Sequence, residues 1–361
     1  MLDLAESRGR FEDHFAWRPE DNVSVATQFA LRRYWSGALY RRIRADWDAR
    51  APKVGAGDLA AAASVAEQIP AAREFRFLDR WLQEEMWRIA GASIDARRAT
   101  LERLMAPHEQ DLGRLIADPA IRYPDYYTEI DFHLQDGGIW RDDRGALVYL
   151  MGARLVHVGR NDAFELHDVF AASLGDIAPK QVLDVGCGYG KTTFSLKKRW
   201  PHAQVVGIDP SFPCLKLARR LGTERGLAID WQQGVAERLP VDDASQDLVT
   251  ITMVLHEVPP DDIRAIFKEV RRALRPGGVL AMLENRTLGD PCRDILAAWH
   301  SMLIGEPWSV PYRALDIDRE LRDAGFAKTS VAPWYATGTS PELERNTQRW
   351  FTPWALSLAT R

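Results

Sequence analysis

The stretch Val182-Leu-Asp-Val-Gly-Cys-Gly-Tyr-Gly-Lys-Thr192 constrains the fold more than any other part of the chain. Its apolar beginning predicts a short buried strand over 181–185. Gly186, Gly188 and Gly190 follow at alternate positions, and a helix-compatible run starts at Lys191. Glycines between a strand and a helix let the backbone turn tightly and let a ligand approach it closely. The free N–H groups at the helix start favour a negatively charged or polar ligand group. In an open α/β sheet such a ligand sits at the carboxyl ends of the strands, where the strand order reverses.

The rest of the C-terminal half supports a sheet of this kind. Short apolar runs recur at 204–208, 228–231, 247–253 and 278–283. Between the last two, Ile263, Ile266, Phe267, Val270 and Leu274 repeat at helical spacing. Pro259 and Pro260 open that helix and Pro276-Gly277-Gly278 stops it. Strands separated by helices imply parallel pairing through right-handed crossovers, with helices on both faces. Two more strands are expected, at 326–332 and 350–358, and Pro353 marks the last as an edge or bulged strand.

Residues 1–120 differ. They are rich in Ala, Arg, Leu, Glu and Trp and poor in β-branched residues, which favours helix. The spacing predicts helices over 25–48 and 71–89, and a third capped by Ser93 that ends before Pro107. A loop at 51–58 separates the first two, with Asp58 as the next N-cap. An α-helical N-terminal domain, acting as a cap or a dimerisation unit, is the expectation. Residues 121–164 mix aromatics with turn signals and read as a connector or lid, with a short hairpin around Arg141-Asp-Asp-Arg-Gly145. Residues 165–361 complete the division.

Composition removes several classes of function. The 361 residues carry a formal net charge of −4, so the basic bias of a non-specific nucleic-acid binder is absent. Cys187, Cys214 and Cys292 include no C-x-x-C pair, which argues against a disulfide scaffold and a cysteine-rich zinc site. No apolar run approaches the roughly 20 residues of a spanning helix. Met1–Arg8 lacks the apolar core of an export signal. A cytoplasmic protein with no membrane and no metal is expected. The 13 tryptophans are numerous enough to line an apolar pocket as well as a core.

The glycine loop admits three ligand readings. A phosphate-binding P-loop needs glycine at position 185, where Val185 stands. A dinucleotide G-x-G-x-x-G needs glycine at 191, where Lys191 stands. The third pattern, acid-x-Gly-x-Gly-x-Gly from Asp184 to Gly190, is present, and with it the chain resembles the class I S-adenosylmethionine-dependent methyltransferases. The resemblance spans about residues 165–332. It implies a Rossmann-like α/β fold, a seven-stranded mostly parallel sheet with helices on both faces, here preceded by the helical N-terminal domain.

The resemblance also implies a cofactor, S-adenosyl-L-methionine, and residues to hold it. Asp184, Gly186, Cys187, Gly188 and Gly190 match the first motif, which contacts the methionine part. Asp209, followed by Pro210, matches the acid that holds both ribose hydroxyls. The run from Gly234 to Pro240 matches the adenine loop, with Ala236 and Glu237 as contacts. Family members often carry Asp where this chain has Val235, so Glu237 or the backbone near Ala236 takes that task. Met253, at the exit of the fourth strand, borders the same site.

Methyl transfer is an in-line displacement in which the protein supplies alignment and electrostatics. His256 is the leading candidate for a general base, since histidine accepts a proton near neutral pH. The alternative is that it only borders the pocket. Glu257 is expected to orient His256 or to contact substrate. Tyr126, Tyr127, His133 and Trp140 are expected to contact the acceptor or to close over the cofactor. Residues 285–312 offer further acceptor contacts, with His300 read as an ordinary helix residue. Glu257-Val-Pro-Pro260 is followed by Asp261 and not by an aromatic, so the pattern of nucleic-acid amino methylation fails. The expected partner is a small, partly apolar acceptor, methylated most readily at oxygen. Carbon or nitrogen methylation, and cofactor binding without transfer, are the alternatives. A homodimer through the helical domain is a further expectation.

Overall fold

Two periodicities, one of two residues and one of 3.6, divide this chain into a sheet and the helices that cover it. The computed structural model describes residues 11–50, 53–159, 161–335, 350 and 353–361; the reading of Met1–Arg8 lies outside them. The strands are β1 (Leu115–Ile116), β2 (Gln181–Val185), β3 (Gln204–Asp209), β4 (Asp230–Gln233), β5 (Gln246–Thr252), β6 (Leu274–Asn285), β7 (Lys328–Trp334) and β8 (Trp354–Thr360). Among the described residues they form one eight-stranded sheet in the order β1-β4-β3-β2-β5-β6-β8-β7. Strands β1 to β6 pair in parallel, while β8 runs antiparallel to both β6 and β7. The order reverses between β2 and β5, so the cleft at their carboxyl ends opens beside Gly186.

The helices fall into three groups. The N-terminal layer holds α1 (Asn22–Tyr34), α2 (Tyr40–Arg50), α3 (Leu59–Ala66), α4 (Pro70–Asp95) and α5 (Arg98–Met105), with a π-helical turn, Trp35–Leu39, joining the first two. The connector holds α6 (Asp125–Thr128), α7 (Asp143–Val156) and α8 (Glu165–Ala172). Within the sheet region lie α9 (Lys191–Arg199), α10 (Phe212–Glu224), α11 (Pro260–Ala273), α12 (Pro291–Leu303), α13 (Ser309–Arg313) and α14 (Ile317–Asp323).

Three expectations are corrected. The sheet has eight strands and not seven. The extra strand, β1, is two residues long, too short for any periodic signal. It is held by its neighbours: Asp230 accepts from the Arg114 amide at 2.8 Å, and the Trp231 amide donates to the Arg114 carbonyl at 2.8 Å. The hairpin expected around 141–145 is instead the start of α7. Asp142 caps it by accepting from the Gly145 amide at 2.8 Å, and Ala146, Leu147, Leu150, Met151 and Leu155 form its buried stripe. The turn-like residues were the helix cap. Finally, β8 is an interior strand. Pro353 precedes it and removes no ladder bond, whereas Pro333 lies inside the true edge strand, β7.

One buried cluster joins the layers. Ile94, Leu101 and Met105 of the N-terminal layer, Leu147 and Met151 of α7, and Val182, Trp231 and Leu283 of the sheet share it. On the other face Leu183, Val249 and Ile251 pack against Ile263, Ile266, Phe267 and Val270 of α11. A third cluster brings Cys292, Leu296 and Trp299 of α12 against Leu39, Phe75 and Leu82. Helix α12 thus reaches from the sheet into the N-terminal layer.

Gly190 is required by packing. Its φ is +93°, and a Cβ there would lie 2.7 Å from Trp231 Cη2 and 2.8 Å from Phe194 Cζ. At Gly188, with φ of +51°, the nearest atom to such a Cβ is Tyr149 Cε1 at 3.8 Å. Gly190→Ala therefore suffers both the left-handed backbone and an overpacked core, about 3 kcal/mol in total. Gly188→Ala suffers only the backbone term, about 1 kcal/mol. Urea unfolding of both variants checks the order; equal losses would contradict it.

Candidate functional site

At the carboxyl ends of β2, β3 and β5 lie two connected lobes, of about 110 Å³ and about 510 Å³. They share Tyr149, Gly186, Gly188, Met253 and Glu257.

The smaller lobe is built from strand exits. Asp209 ends β3 and is buried; its Oδ2 accepts from the Gly188 amide and its Oδ1 from the Ser211 amide, both at 2.8 Å. Burial pushes its pKa up to about 6, against the pull of those two bonds, so it stays ionised at neutral pH. Each oxygen keeps a lone pair for a ligand hydroxyl. Pro210, Val235, Ala236, Glu237, Tyr126 and Tyr127 complete the wall. Glu237 accepts from the Tyr126 hydroxyl at 2.6 Å through Oε1. Its Oε2 and the Tyr127 hydroxyl are buried without partners. Two unpaired polar atoms beside this lobe are what a heterocycle with its own polar edge would satisfy.

The first motif divides its tasks. Gly188 leaves open space toward the lobes, whereas Gly190 lines neither. Asp184 borders the larger lobe, but its oxygens are engaged by Thr193 Oγ1 at 2.6 Å and Thr250 Oγ1 at 2.7 Å. Cys187 also lines that lobe, and burial pushes its thiol well above its ordinary range. A Cβ on Gly207 would lie 2.9 Å from its sulfur, so it fills space against β3.

In the larger lobe His256 has a partner the sequence reading missed. Its Nδ1 lies 2.7 Å from Glu284 Oε2, while Glu284 Oε1 accepts from the Val254 and Leu255 amides at 2.5 and 2.6 Å. Desolvation works against the imidazolium, but the Glu284 charge and hydrogen bond outweigh it and push His256 up to about 9. Glu257 does not orient His256. It faces His133, with Oε1 2.9 Å from Nε2, while Glu306 Oε1 lies 3.2 Å from Nδ1. Burial of His133 is likewise outweighed, and the two carboxylates push it up to about 10. Glu306, buried but facing that cation, is held down at about 2. His133 sits in the left-handed region, φ 56°, and its carbonyl accepts from Gln83 at 2.8 Å and Trp87 at 2.6 Å.

The aromatic connector is thus divided. Tyr126 and Tyr127 line the smaller lobe and His133 the larger. Trp140 lines neither; it packs 5.2 Å from the Tyr123 ring, with Arg141 over its face. His300 is more than an ordinary helix residue, since it lines the larger lobe with Nδ1 2.9 Å from both oxygens of Asp79. Lys191 was noted only for breaking a motif. Its ammonium lies inside the larger lobe, over the Tyr149 and Tyr189 rings, and desolvation brings it down to about 8. His167 donates or accepts at Thr192 through Nδ1, 3.0 Å away, and its buried Nε2 has no partner. Glu284 carried a visible signal, a single acid ending the apolar run of β6. Among the described residues no group of three or more His, Cys, Asp or Glu is arranged to hold a metal ion. Likewise, no described helix is long and apolar enough to cross a membrane.

Residues 182–278 match the family model of a methyltransferase domain. Over 108 residues the chain is 43% identical to a malonyl-[acyl-carrier protein] O-methyltransferase of Xylella fastidiosa, covering 30% of this chain and 35% of that protein. It is 39% identical over 107 residues to a demethylmenaquinone methyltransferase of Thermus thermophilus (30% and 48%). It is 39% identical over 126 residues to a ubiquinone biosynthesis O-methyltransferase of Idiomarina loihiensis (34% and 49%). The chain therefore spans between a third and a half of these relatives' length. The family match begins at β2 and ends inside β6, before Glu284.

The His133 clamp sets a pH dependence. Its folded pKa lies above the ordinary value, so its contribution is complete below about 6.5 and is lost as pH rises through about 10. Wild-type protein is expected to lose urea resistance between pH 7 and 10. His133→Gln should be less stable at pH 7 and lose less over the same interval. Parallel curves for the two proteins would remove the clamp from the account.

Proposed function

We propose that this chain, whose residues 182–278 match the model of a methyltransferase domain, is a class I S-adenosylmethionine-dependent methyltransferase that methylates an oxygen of a small, partly apolar acceptor. The observation that carries this reading is the buried His256–Glu284 pair on the wall of the larger lobe, next to the Asp209 lobe. The cofactor fits the residues present. Asp209 has lone pairs that would take two ribose hydroxyls, Glu237 Oε2 and the Tyr127 hydroxyl have no partner and would serve adenine, and Gly188 leaves the backbone open. Lys191 and the amide end of α9 suit the carboxylate of its amino-acid tail. When bound, S-adenosylmethionine supplies a methyl group on a sulfonium centre.

The chain's own part is to orient and to move a proton. Glu284 faces Nδ1 of His256, so Nε2 on the opposite side of the ring is the nitrogen available to an acceptor hydroxyl. Removing that proton produces the stronger oxygen nucleophile. The Val254 and Leu255 amides hold the Glu284 carboxylate in place, and with it the imidazole. Two relatives named as O-methyltransferases support oxygen as the target. The net charge of −4 and the concave, aromatic-walled lobe support a small cytoplasmic acceptor over a nucleic acid.

Calorimetric titration with S-adenosylhomocysteine should release heat with the wild type. Asp209→Ala should weaken binding by about 100-fold, the worth of two hydrogen bonds to a charged group. No heat with the wild type would end the assignment. With radiolabelled donor and a cell extract, label should enter small molecules; label in protein or RNA would overturn the acceptor class.

The base carries its own pH signature. A group raised to about 9 must lose its proton before it can accept one, so kcat/KM should climb with pH and level off above about 9. Glu284→Gln should move that limb to lower pH while the plateau falls. His256→Ala should lower turnover by about 100-fold with S-adenosylhomocysteine affinity unchanged. Near-normal turnover of His256→Ala at saturating acceptor would leave His256 as wall only.

A further inference from the structure

The wall of the larger lobe combines two unrelated kinds of group. One is aromatic: Trp35 of the π-helical turn, Trp87 of α4, Tyr149 of α7, and Trp350 and Trp354 at the approach to β8. The other is a set of buried polar atoms without partners. Thr252 Oγ1 ends β5, Asn285 Oδ1 ends β6, and Trp350 Nε1 belongs to the indole wall; Arg32 Nε of α1 and His167 Nε2 of α8 belong to the same set. By contrast, three histidines of the same wall already have acids: His133 has Glu257 and Glu306, His256 has Glu284, and His300 has Asp79, whereas His157 and His167 on that wall face none among the described residues.

Each unpartnered buried polar atom costs roughly 1–3 kcal/mol. A guest that holds polar atoms between the aromatic faces would relieve that cost. Asn285 Oδ1 only accepts, so it calls for a hydroxyl on the guest; Trp350 Nε1 only donates, so it calls for an oxygen acceptor. A flexible alkyl chain would fill the volume, leave those atoms bare and lose rotamer freedom as well. A rigid ring system satisfies both demands, because indole and phenol walls stack on flat π surfaces. A volume of about 510 Å³ is ample for a fused-ring molecule beside the amino-acid tail of the cofactor.

We propose that the acceptor is a flat, fused-ring aromatic with at least two oxygen substituents, one of them a hydroxyl read by Asn285 and Thr252 and another received by the Trp350 N–H. The proposal deepens the methyl-transfer reading and rests on it for which oxygen reacts; the binding itself does not.

The test uses full-length protein, with and without S-adenosylhomocysteine, titrated calorimetrically with 1,8-dihydroxyanthraquinone and with sodium decanoate. The anthraquinone should bind at least tenfold more tightly than decanoate. Asn285→Leu and Trp350→Phe should each weaken it by about tenfold, with S-adenosylhomocysteine affinity unchanged; the second keeps the ring and removes only the donor. Decanoate binding as tightly as the anthraquinone, or neither variant altering anthraquinone affinity, would overturn the proposal. Ring binding without any S-adenosylhomocysteine binding would sustain it while removing the methyl-transfer reading.

Discussion

The buried carboxylate of Asp184 holds the switch point of the sheet together. It sits on β2, where the chain order reverses, and takes hydroxyl donors from Thr250 on β5 and Thr193 on α9. Three elements that diverge at the cleft are thereby tied to one side chain. Burial pushes this carboxyl up and the two hydroxyls pull it back, leaving it at about 6, so the hydroxyls help make an ionised group tolerable in that position. With β2 and α9 fixed, the glycine turn between them has one path. That path brings the Gly188 amide to Asp209 and so joins the first strand exit to the second. A ligand carboxylate, ribose or heterocycle would meet a surface already rigid before it arrives.

The larger lobe depends on a different device. No single motif encloses it; α1, α4, α7 and α12 come from separate parts of the chain and converge over the strand ends. His133 is where they are pinned. Its backbone carbonyl holds α4 through Gln83 and Trp87, while its ring reaches Glu257 beyond β5 and Glu306 beyond α12. The left-handed backbone at His133 and Leu134 costs on the order of 1–3 kcal/mol each, and it persists because four partners over-determine it.

How far the sequence reveals this arrangement follows from the range of the interactions. Asp184, the glycines, Asp209, Ala236 and Glu237 lie in short contiguous motifs set by strand exits, and the strand and helix periods that place them are local. The α7 start was misread because Asp142-Asp143 and Gly145 serve equally as turn residues and as a helix cap; the buried stripe from Ala146 to Leu155 decided it. The pairing of His256 with Glu284, and of His133 with Glu257 and Glu306, joins residues separated by tens to more than a hundred positions. No spacing rule spans such distances. Lys191, Trp35 and Trp87 belong to the same class, each unremarkable on its own helix and meaningful only once the layers close.

This difference in range separates the two tasks of the site. The smaller lobe takes its amides and carboxylates at strand ends from the 182–278 stretch that matches the methyltransferase model, and its tyrosines Tyr126, Tyr127 and Tyr149 from before it. The larger lobe draws indoles from Trp35, Trp87 and Trp350 and unpartnered polar atoms from Asn285 and Trp350 outside that stretch, and Thr252 Oγ1 from inside it. Glu284 belongs to both: it closes the turn that carries Val254 and Leu255, and it sets the charge of His256. Substitutions in α1, α4 or α12 can therefore change the size and polarity of the larger lobe without moving Asp209 or the glycine turn. A change at Glu284 cannot, since the same carboxylate that tunes the imidazole also holds the loop linking the two lobes.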